Sequence, residues 1–138
     1  HRHMPEIEQE LAVAAGAPVT ISFTPHLVPM NRGELETMYV ALAPGQTAAS
    51  LKATLEEAYA DASFMDILPG AVAPATRMVR GSNRCVMNVF EDRRPGHAIV
   101  IAAIDNLVKG SSGQAIQNMN LMFGFAETEG LEQIALFP

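Results

Sequence analysis

Apolar residues recur at helical spacing in three stretches of the chain, and each stretch predicts a helix. The first is MPEIEQELAVAAG, where Pro5 suits the first turn and Gly16 suits the C-terminal stop. The second is TAASLKATLEEAYA, with its leucines on one face. The third is SSGQAIQNMNLMFG, whose serines predict an N-terminal side-chain cap and whose Gly124 predicts the end.

Alternating or continuous apolar runs predict strands at VTISF, ELETMYVALA, FMDIL, RCVMNVFED and HAIVIAAID. The last two are separated by a Pro-Gly turn and should pair as an antiparallel hairpin. HAIVIAAID is almost wholly apolar, so both of its faces should be covered. This order of elements predicts an α+β fold, with a mixed and mostly antiparallel sheet that carries helices on one face.

Composition narrows the class of protein. Of the 138 residues, 49% are hydrophobic and only 17% are charged, which indicates a folded domain with some surface covered by a partner. The net charge of −6 and the scattered basic residues argue against nucleic acid, and no apolar run reaches the length of a membrane span. The single cysteine fits a cytoplasmic protein.

Few residues stand out as candidate chemistry from pattern alone. The opening His1-Arg2-His3, with Glu6 three residues on, is consistent with a cloning remnant or with an acid/base cluster. No cluster of Cys and His has the spacing of a metal site. Cys85 lies inside a strand pattern and is better explained as a buried thiol than as a nucleophile. The turn GSSGQ could hold an anion or cofactor, or be an ordinary start of a helix.

Four longer segments carry a resemblance to a known family. HRHMPEIEQ, FTPHLVPMNRGELET, RGSNRC and AIDNLVKGSSGQAIQNMNLMFGFAETEGL, in this order, closely resemble the C-terminal half of N-acetyl-γ-glutamyl-phosphate reductases of arginine biosynthesis. The resemblance covers essentially the whole chain. It implies that the opening histidines belong to the native sequence and are not a cloning remnant. It implies a domain like the second domain of glyceraldehyde-3-phosphate and aspartate-semialdehyde dehydrogenases.

The resemblance also implies a division of labour. Residues 1–108 would form the substrate and dimerisation domain with the catalytic His, and residues 109–138 a closing helix and tail that return to an NADP-binding domain absent from this chain. The family enzymes reduce an acyl phosphate to a semialdehyde with NADPH, through a thioester on a Cys. A cytoplasmic homodimer or homotetramer is expected.

By resemblance, His3 is the expected acid/base, with Glu6 orienting it. His1 and Arg2 are expected to contact substrate, and Arg32 to bind a substrate carboxylate or to lock an interface. Further along, the same resemblance assigns nicotinamide contacts to Gln114 and Asn118.

The family's Asn-Pro-Gly-Cys turn and Gly-rich nucleotide fingerprint are missing from this chain, so the chain alone is expected to be inactive. Two other functions remain open: a self-associating structural module, and the equivalent domain of an aspartate-semialdehyde dehydrogenase.

Overall fold

The computed structural model describes residues 2–136, and the chain divides after Met30 into two compact units. The first unit contains helix α1 (His3–Ala15), which ends where Gly16 adopts a left-handed conformation with φ of 65°. The Glu8 side chain accepts a hydrogen bond of 3.1 Å from the backbone N–H of Ile21, and this bond ties the segment after α1 to the helix. The predicted first helix is confirmed.

The strand predicted at residues 19–23 is wrong, because this segment has no strand pairing in the structure. Alternation shows that a segment can be extended, but a strand also needs a partner that takes its backbone hydrogen bonds. The Ile21 N–H donates to a side chain instead. Prolines on both sides, at positions 18 and 25, remove further donors.

The second unit is built on a four-stranded sheet. Its elements are β1 (Glu34–Ala41), α2 (Ala48–Ala58), β2 (Met65–Ile67), β3 (Cys85–Glu91), β4 (His97–Ile104) and α3 (Gly113–Phe123). The strand order is β1-β4-β3-β2. Strand β4 pairs antiparallel with both neighbours, whereas β2 pairs parallel with β3. The predicted α+β fold class and the β3–β4 hairpin are therefore confirmed.

Helix α2 covers one face of this sheet. Its Leu51 and Leu55 pack on a buried cluster that includes Val89, Ala98 and Val100 of the hairpin. A Thr47–Ser50 capping box satisfies the first turn of the helix, with the Ser50 N–H donating to Thr47 Oγ1 at 3.0 Å.

The opposite face of the sheet is only partly covered. Val86 and Ala103 are buried there beneath Val79, which follows a short 3₁₀ turn at Thr76–Met78. Strand β1 is an edge strand, and its Leu35 and Tyr39 are 53% and 66% exposed. Within residues 2–136, none of the helices is long and apolar enough to cross a membrane.

Helix α3 follows β4 through a π-helical turn at Val108–Ser112. The predicted serine cap is wrong, because Ser112 makes no capping hydrogen bond to the helix. With φ of −63° and ψ of −39°, its backbone is already helical, whereas a capping residue needs extended dihedrals. The Ser112 hydroxyl instead donates to the Leu107 carbonyl at 2.7 Å. The predicted end at Gly124 is confirmed.

Candidate functional site

The first unit brings together two of the residues expected at the site. His3 Nδ1 lies 3.0 Å from Glu6 Oε2, one helical turn along α1. Their side chains are 50% and 71% exposed, so the pair is open to solvent and the attraction adds little to stability. A carboxylate beside Nδ1 orients the imidazole ring and favours the tautomer with its proton on that nitrogen.

Two further candidates, His1 and Arg2, directly precede His3 in the sequence. Arg2 is the residue just before α1 and is exposed. His1 lies outside the residues that the structure describes. Their expected role in substrate contact stays a prediction.

In the second unit, Arg32 forms an ion pair with Asp105, with Nε and Oδ2 2.6 Å apart. The Asp105 side chain is fully buried. Nε has no well-directed hydrogen bond within residues 2–136, so the contact is an electrostatic one. This pair joins the loop before β1 to the turn after β4.

The Asp105 carboxylate also accepts hydrogen bonds from three backbone N–H groups. Gly81 donates to Oδ2 at 2.6 Å, and Leu107 and Val108 donate to Oδ1 at 2.9 and 3.1 Å. Burial opposes ionisation of Asp105, but these donors and Arg32 outweigh it and hold the pKa below its usual value. Asp105 is therefore an ionised anchor on which three loops converge.

Asp105 is not among the residues predicted from the sequence, although the sequence carries a signal for it. An Asp-Asn pair directly after a buried strand is a typical turn former, because its side chains accept backbone hydrogen bonds. The next residue, Asn106, accepts a hydrogen bond of 2.7 Å from the Gly33 N–H through its side-chain oxygen. The loop that carries Arg32 is thus held at two adjacent points.

Gln114 and Asn118 lie one turn apart near the start of α3. The Gln114 side-chain amide donates to the Asn118 side-chain oxygen at 3.0 Å. Asn118 is exposed and Gln114 is partly exposed. Side-chain amides can exchange hydrogen bonds with a carboxamide, so the chemistry of Gln114 and Asn118 fits the nicotinamide contact that is expected of them.

A second group of polar residues, which was not predicted from the sequence, surrounds the buried Gln117. The Gln117 side-chain oxygen accepts from Lys109 Nζ at 2.8 Å and from Asn83 Nδ2 at 2.9 Å. The Gln117 amide nitrogen donates to Glu127 Oε1 at 2.6 Å. Burial lowers the pKa of Lys109, although Cys85 and Glu127 oppose the shift. These contacts fix α3 against the turn before β3 and the segment after the helix.

Cys85, at the start of β3, is buried. Burial raises the pKa of its thiol to about 11, and nearby Lys109 offsets only part of this effect. A thiol in this state is protonated and a poor nucleophile at neutral pH. The prediction that Cys85 is structural agrees with this placement.

Comparison with known proteins places this fold in the class of semialdehyde dehydrogenases. The aspartate semialdehyde dehydrogenase II of Vibrio cholerae, solved in complex with ASA, superposes with a TM-score of 0.57 at 21% identity. The alignment covers 70% of this chain and 29% of that one. At this identity the similarity concerns the fold. Residues 1–106 match the family described as semialdehyde dehydrogenase, dimerisation domain, and the chain belongs to this family.

Curated relatives match the chain along its whole length. Proteins named N-acetyl-gamma-glutamyl-phosphate reductase from Rhodospirillum rubrum and Geobacter metallireducens are 56% and 54% identical over 138 residues. A rice protein (Oryza sativa subsp. japonica), named a probable chloroplastic reductase of the same kind, is 57% identical. These matches cover the whole of this chain, but only 39%, 40% and 33% of the length of the three relatives.

Proposed function

We propose that this chain is the substrate-binding and dimerisation part of an N-acetyl-γ-glutamyl-phosphate reductase. The observation that carries the proposal is 54–57% identity along the entire chain to relatives with that name. The reaction replaces the phosphate of an acyl phosphate by hydride and yields a semialdehyde. By family resemblance, the nucleophilic Cys and the nucleotide-binding domain belong to the part of the enzyme outside these residues.

His3 is the proposed acid/base of this reaction, and its contact with Glu6 supports the assignment. A carboxylate 3.0 Å from Nδ1 favours the tautomer with a proton on that nitrogen and leaves Nε2 as the basic atom. Nε2 would accept the thiol proton before attack on the acyl carbonyl. It would later return a proton to the developing alkoxide oxygen.

The remaining proposed contacts divide between substrate and cofactor. His1, Arg2 and Arg32 would contact the anionic substrate, and the guanidinium groups of the two arginines complement its charge. Gln114 and Asn118 would hold the carboxamide of NADPH, whose nicotinamide ring would supply the hydride when bound. Residues 109–138 would return to the nucleotide-binding domain.

Exposed apolar residues on α3 support this last assignment. Ile116, Met119 and Met122 are 38%, 44% and 81% exposed, more than a helix in a complete domain usually leaves uncovered.

Self-association is the proposed role of the open sheet face. Leu35 and Tyr39 of β1 lie on the same face as the partly buried Ile99 and Ile101 of β4. This surface is apolar, and the matched family is described as a dimerisation domain. A homodimer or homotetramer in the cytoplasm is the assembly that we propose.

The relatives do not favour the two alternatives. A purely structural module leaves the paired His3 and Glu6 without a role. An aspartate-semialdehyde dehydrogenase is supported only by a fold shared at 21% identity.

A chimeric enzyme tests the proposal. The matching 39% of the Rhodospirillum rubrum protein is replaced by this chain, and NADPH oxidation is measured with N-acetylglutamyl phosphate and, separately, with aspartyl phosphate. We expect turnover of the acetylated substrate, with the unaltered Rhodospirillum rubrum protein as the control. A folded chimera that prefers aspartyl phosphate, or that reduces neither compound, would contradict the proposal.

A further inference from the structure

Two of the Arg–Asp pairs of the second unit, Arg84–Asp66 and Arg32–Asp105, differ in how many guanidinium nitrogens they use. Arg84 donates to the two oxygens of Asp66 through Nε, at 2.5 Å, and through Nη2. Arg32 approaches Asp105 most closely through Nε, and within residues 2–136 its Nη1 and Nη2 donate no hydrogen bond. Arg84 therefore uses two guanidinium nitrogens on its Asp partner, whereas Nη1 and Nη2 of Arg32 are both unengaged in the described part of the chain.

The surroundings of Asp105 explain why Arg32 is held by one nitrogen. A carboxylate offers about four acceptor positions, and three of them are taken by the N–H groups of Gly81, Leu107 and Val108. Only one remains for the guanidinium. Arg32 Nε is inaccessible to solvent, so the 32% exposure of the side chain belongs to its other atoms. Nη1 and Nη2 are the polar atoms among these.

We propose that Asp105 is a positioning residue that fixes Nε of Arg32 and thereby presents Nη1 and Nη2 to an anionic group of the substrate. The inference rests on the proposed function and adds the residue that orients one of its substrate contacts. The recognised chemistry is a planar pair of anionic oxygens, which both a carboxylate and a phosphoryl group provide. Because Asp105 holds the guanidinium in place before the substrate binds, the side chain of Arg32 loses less conformational entropy on binding.

A double-mutant cycle in the chimeric full-length enzyme tests the inference. Arg32→Met, Asp105→Asn and the double variant are compared by kcat and KM in the direction of phosphate-dependent semialdehyde oxidation. In this direction the semialdehyde carries the carboxylate, and inorganic phosphate is a separate reactant. A raised KM for one or the other therefore identifies the group that Arg32 binds.

We expect each single variant to raise one of the two KM values about 10- to 100-fold, the range of a lost hydrogen bond between charged groups. The double variant should be no worse than Arg32→Met, because Asp105 acts through Arg32. The matched control is Asp66→Asn, which removes the carboxylate to which Arg84 donates through two nitrogens and should leave both KM values unchanged. Additive effects of the two variants, or unchanged KM values, would overturn the inference.

A second variant covers the case in which Asp105→Asn does not fold. Arg32→Lys keeps the charge, but its ammonium group would be drawn to the buried carboxylate and present no outer fork. We expect its KM to equal that of Arg32→Met, and a native KM in this variant would overturn the inference. A folded chimera without any reductase activity would refute the proposed function, whereas an active one with native KM in these variants would refute the role of Asp105 alone.

Discussion

The side-chain oxygen of Asn83 occupies the space that a side chain at Gly113 would need. A Cβ built on Gly113 would lie 2.3 Å from Asn83 Oδ1 and 2.9 Å from the Val108 carbonyl oxygen. Asn83 cannot easily turn away, because its Nδ2 donates to Gln117 and the residue is fully buried. The start of α3 therefore lies so close to the turn before β3 that only glycine fits at position 113 without a shift of its neighbours.

Gly113→Ala should destabilise the protein. Relief of the clash requires a shift of α3 or loss of the Asn83–Gln117 hydrogen bond, and we expect a cost of about 1–3 kcal/mol in the free energy of unfolding. Urea denaturation followed by circular dichroism measures it. The control is Gly110→Ala, whose added Cβ would meet its nearest atom at 3.4 Å and should change stability by less than about 0.5 kcal/mol. If both variants lowered the free energy of unfolding equally, the close contact between Gly113 and Asn83 would not be the cause of the loss.

Lys52 should stabilise the loop after β2 more than a surface lysine does. Its Nζ donates to the Leu68 carbonyl at 2.5 Å, to Asn88 Oδ1 at 2.9 Å and to the Gly70 carbonyl at 3.3 Å. Lys52→Met removes the donor to the Leu68 carbonyl, whereas the Gly70 carbonyl and Asn88 Oδ1 each keep one other donor. The variant is expected to cost about 1–3 kcal/mol in the free energy of unfolding, measured by thermal unfolding. Arg93→Met, which removes an exposed cation in the β3–β4 turn, is the control. A loss no larger than in the control would contradict this account.

The single cysteine should be nearly inert while the chain is folded. A pKa of about 11 leaves about one thiol in a thousand ionised at pH 8, and the thiolate is the reactive form. We expect DTNB at pH 8 to react slowly with the native protein and rapidly after denaturation. Since the chain has only Cys85, the absorbance reports this residue alone. Native reaction as fast as that of the denatured chain would show that the thiol is accessible and ionised.

Acid should weaken the fold through Asp105. Its pKa is lower in the folded protein than the usual 3.8, so its carboxylate stabilises the fold above that value and loses this effect as the pH falls through the folded pKa. We expect the free energy of unfolding to decline below about pH 4, and to decline less steeply in Asp105→Asn. Asp61→Asn, at an exposed position, is the control. The same slope in all three proteins would exclude Asp105 as the source.

In the chimeric enzyme, His3→Ala should lower kcat about 10²- to 10⁴-fold, the usual contribution of a general acid or base. The dissociation constant of NADPH, measured by titration of its own fluorescence, should change little. His97→Ala is the matched control, because that imidazole contacts the Pro95 carbonyl in the β3–β4 turn. Near-native turnover of His3→Ala would remove His3 from the mechanism.

The helices and the hairpin could be predicted because the signals that form them are local. Gly16 and Gly124 end helices with their own left-handed backbone, and the His3–Glu6 contact follows from spacing within one helix. Features that depend on distant residues could not be predicted in this way. The sequence marked Arg32 as a candidate, but its partner Asp105 lies 73 positions further on and only the folded chain brings them together.

The failed predictions have the same origin. The VTISF segment has strand-like residues, but alternation carries no information about a partner strand. Ser112 has a typical capping side chain, yet the preceding π-helical turn makes its own backbone helical. Local preference is overridden in both places by how the neighbouring chain is held.

The pairing of β1 with β4 also sets the order in which the sheet can form. Partners in the β3–β4 hairpin are as close as Glu91 and Ala98, whereas β1 pairs residues as distant as Glu34 and Ile104. Because long loops are slower to close, the hairpin should form first and β1 should join last. On the ribosome, β1 emerges early and waits, with one apolar face uncovered, until β4 has been synthesised. Pulsed hydrogen exchange should therefore find late protection in β1, and the waiting strand is the part of the chain most in need of a chaperone.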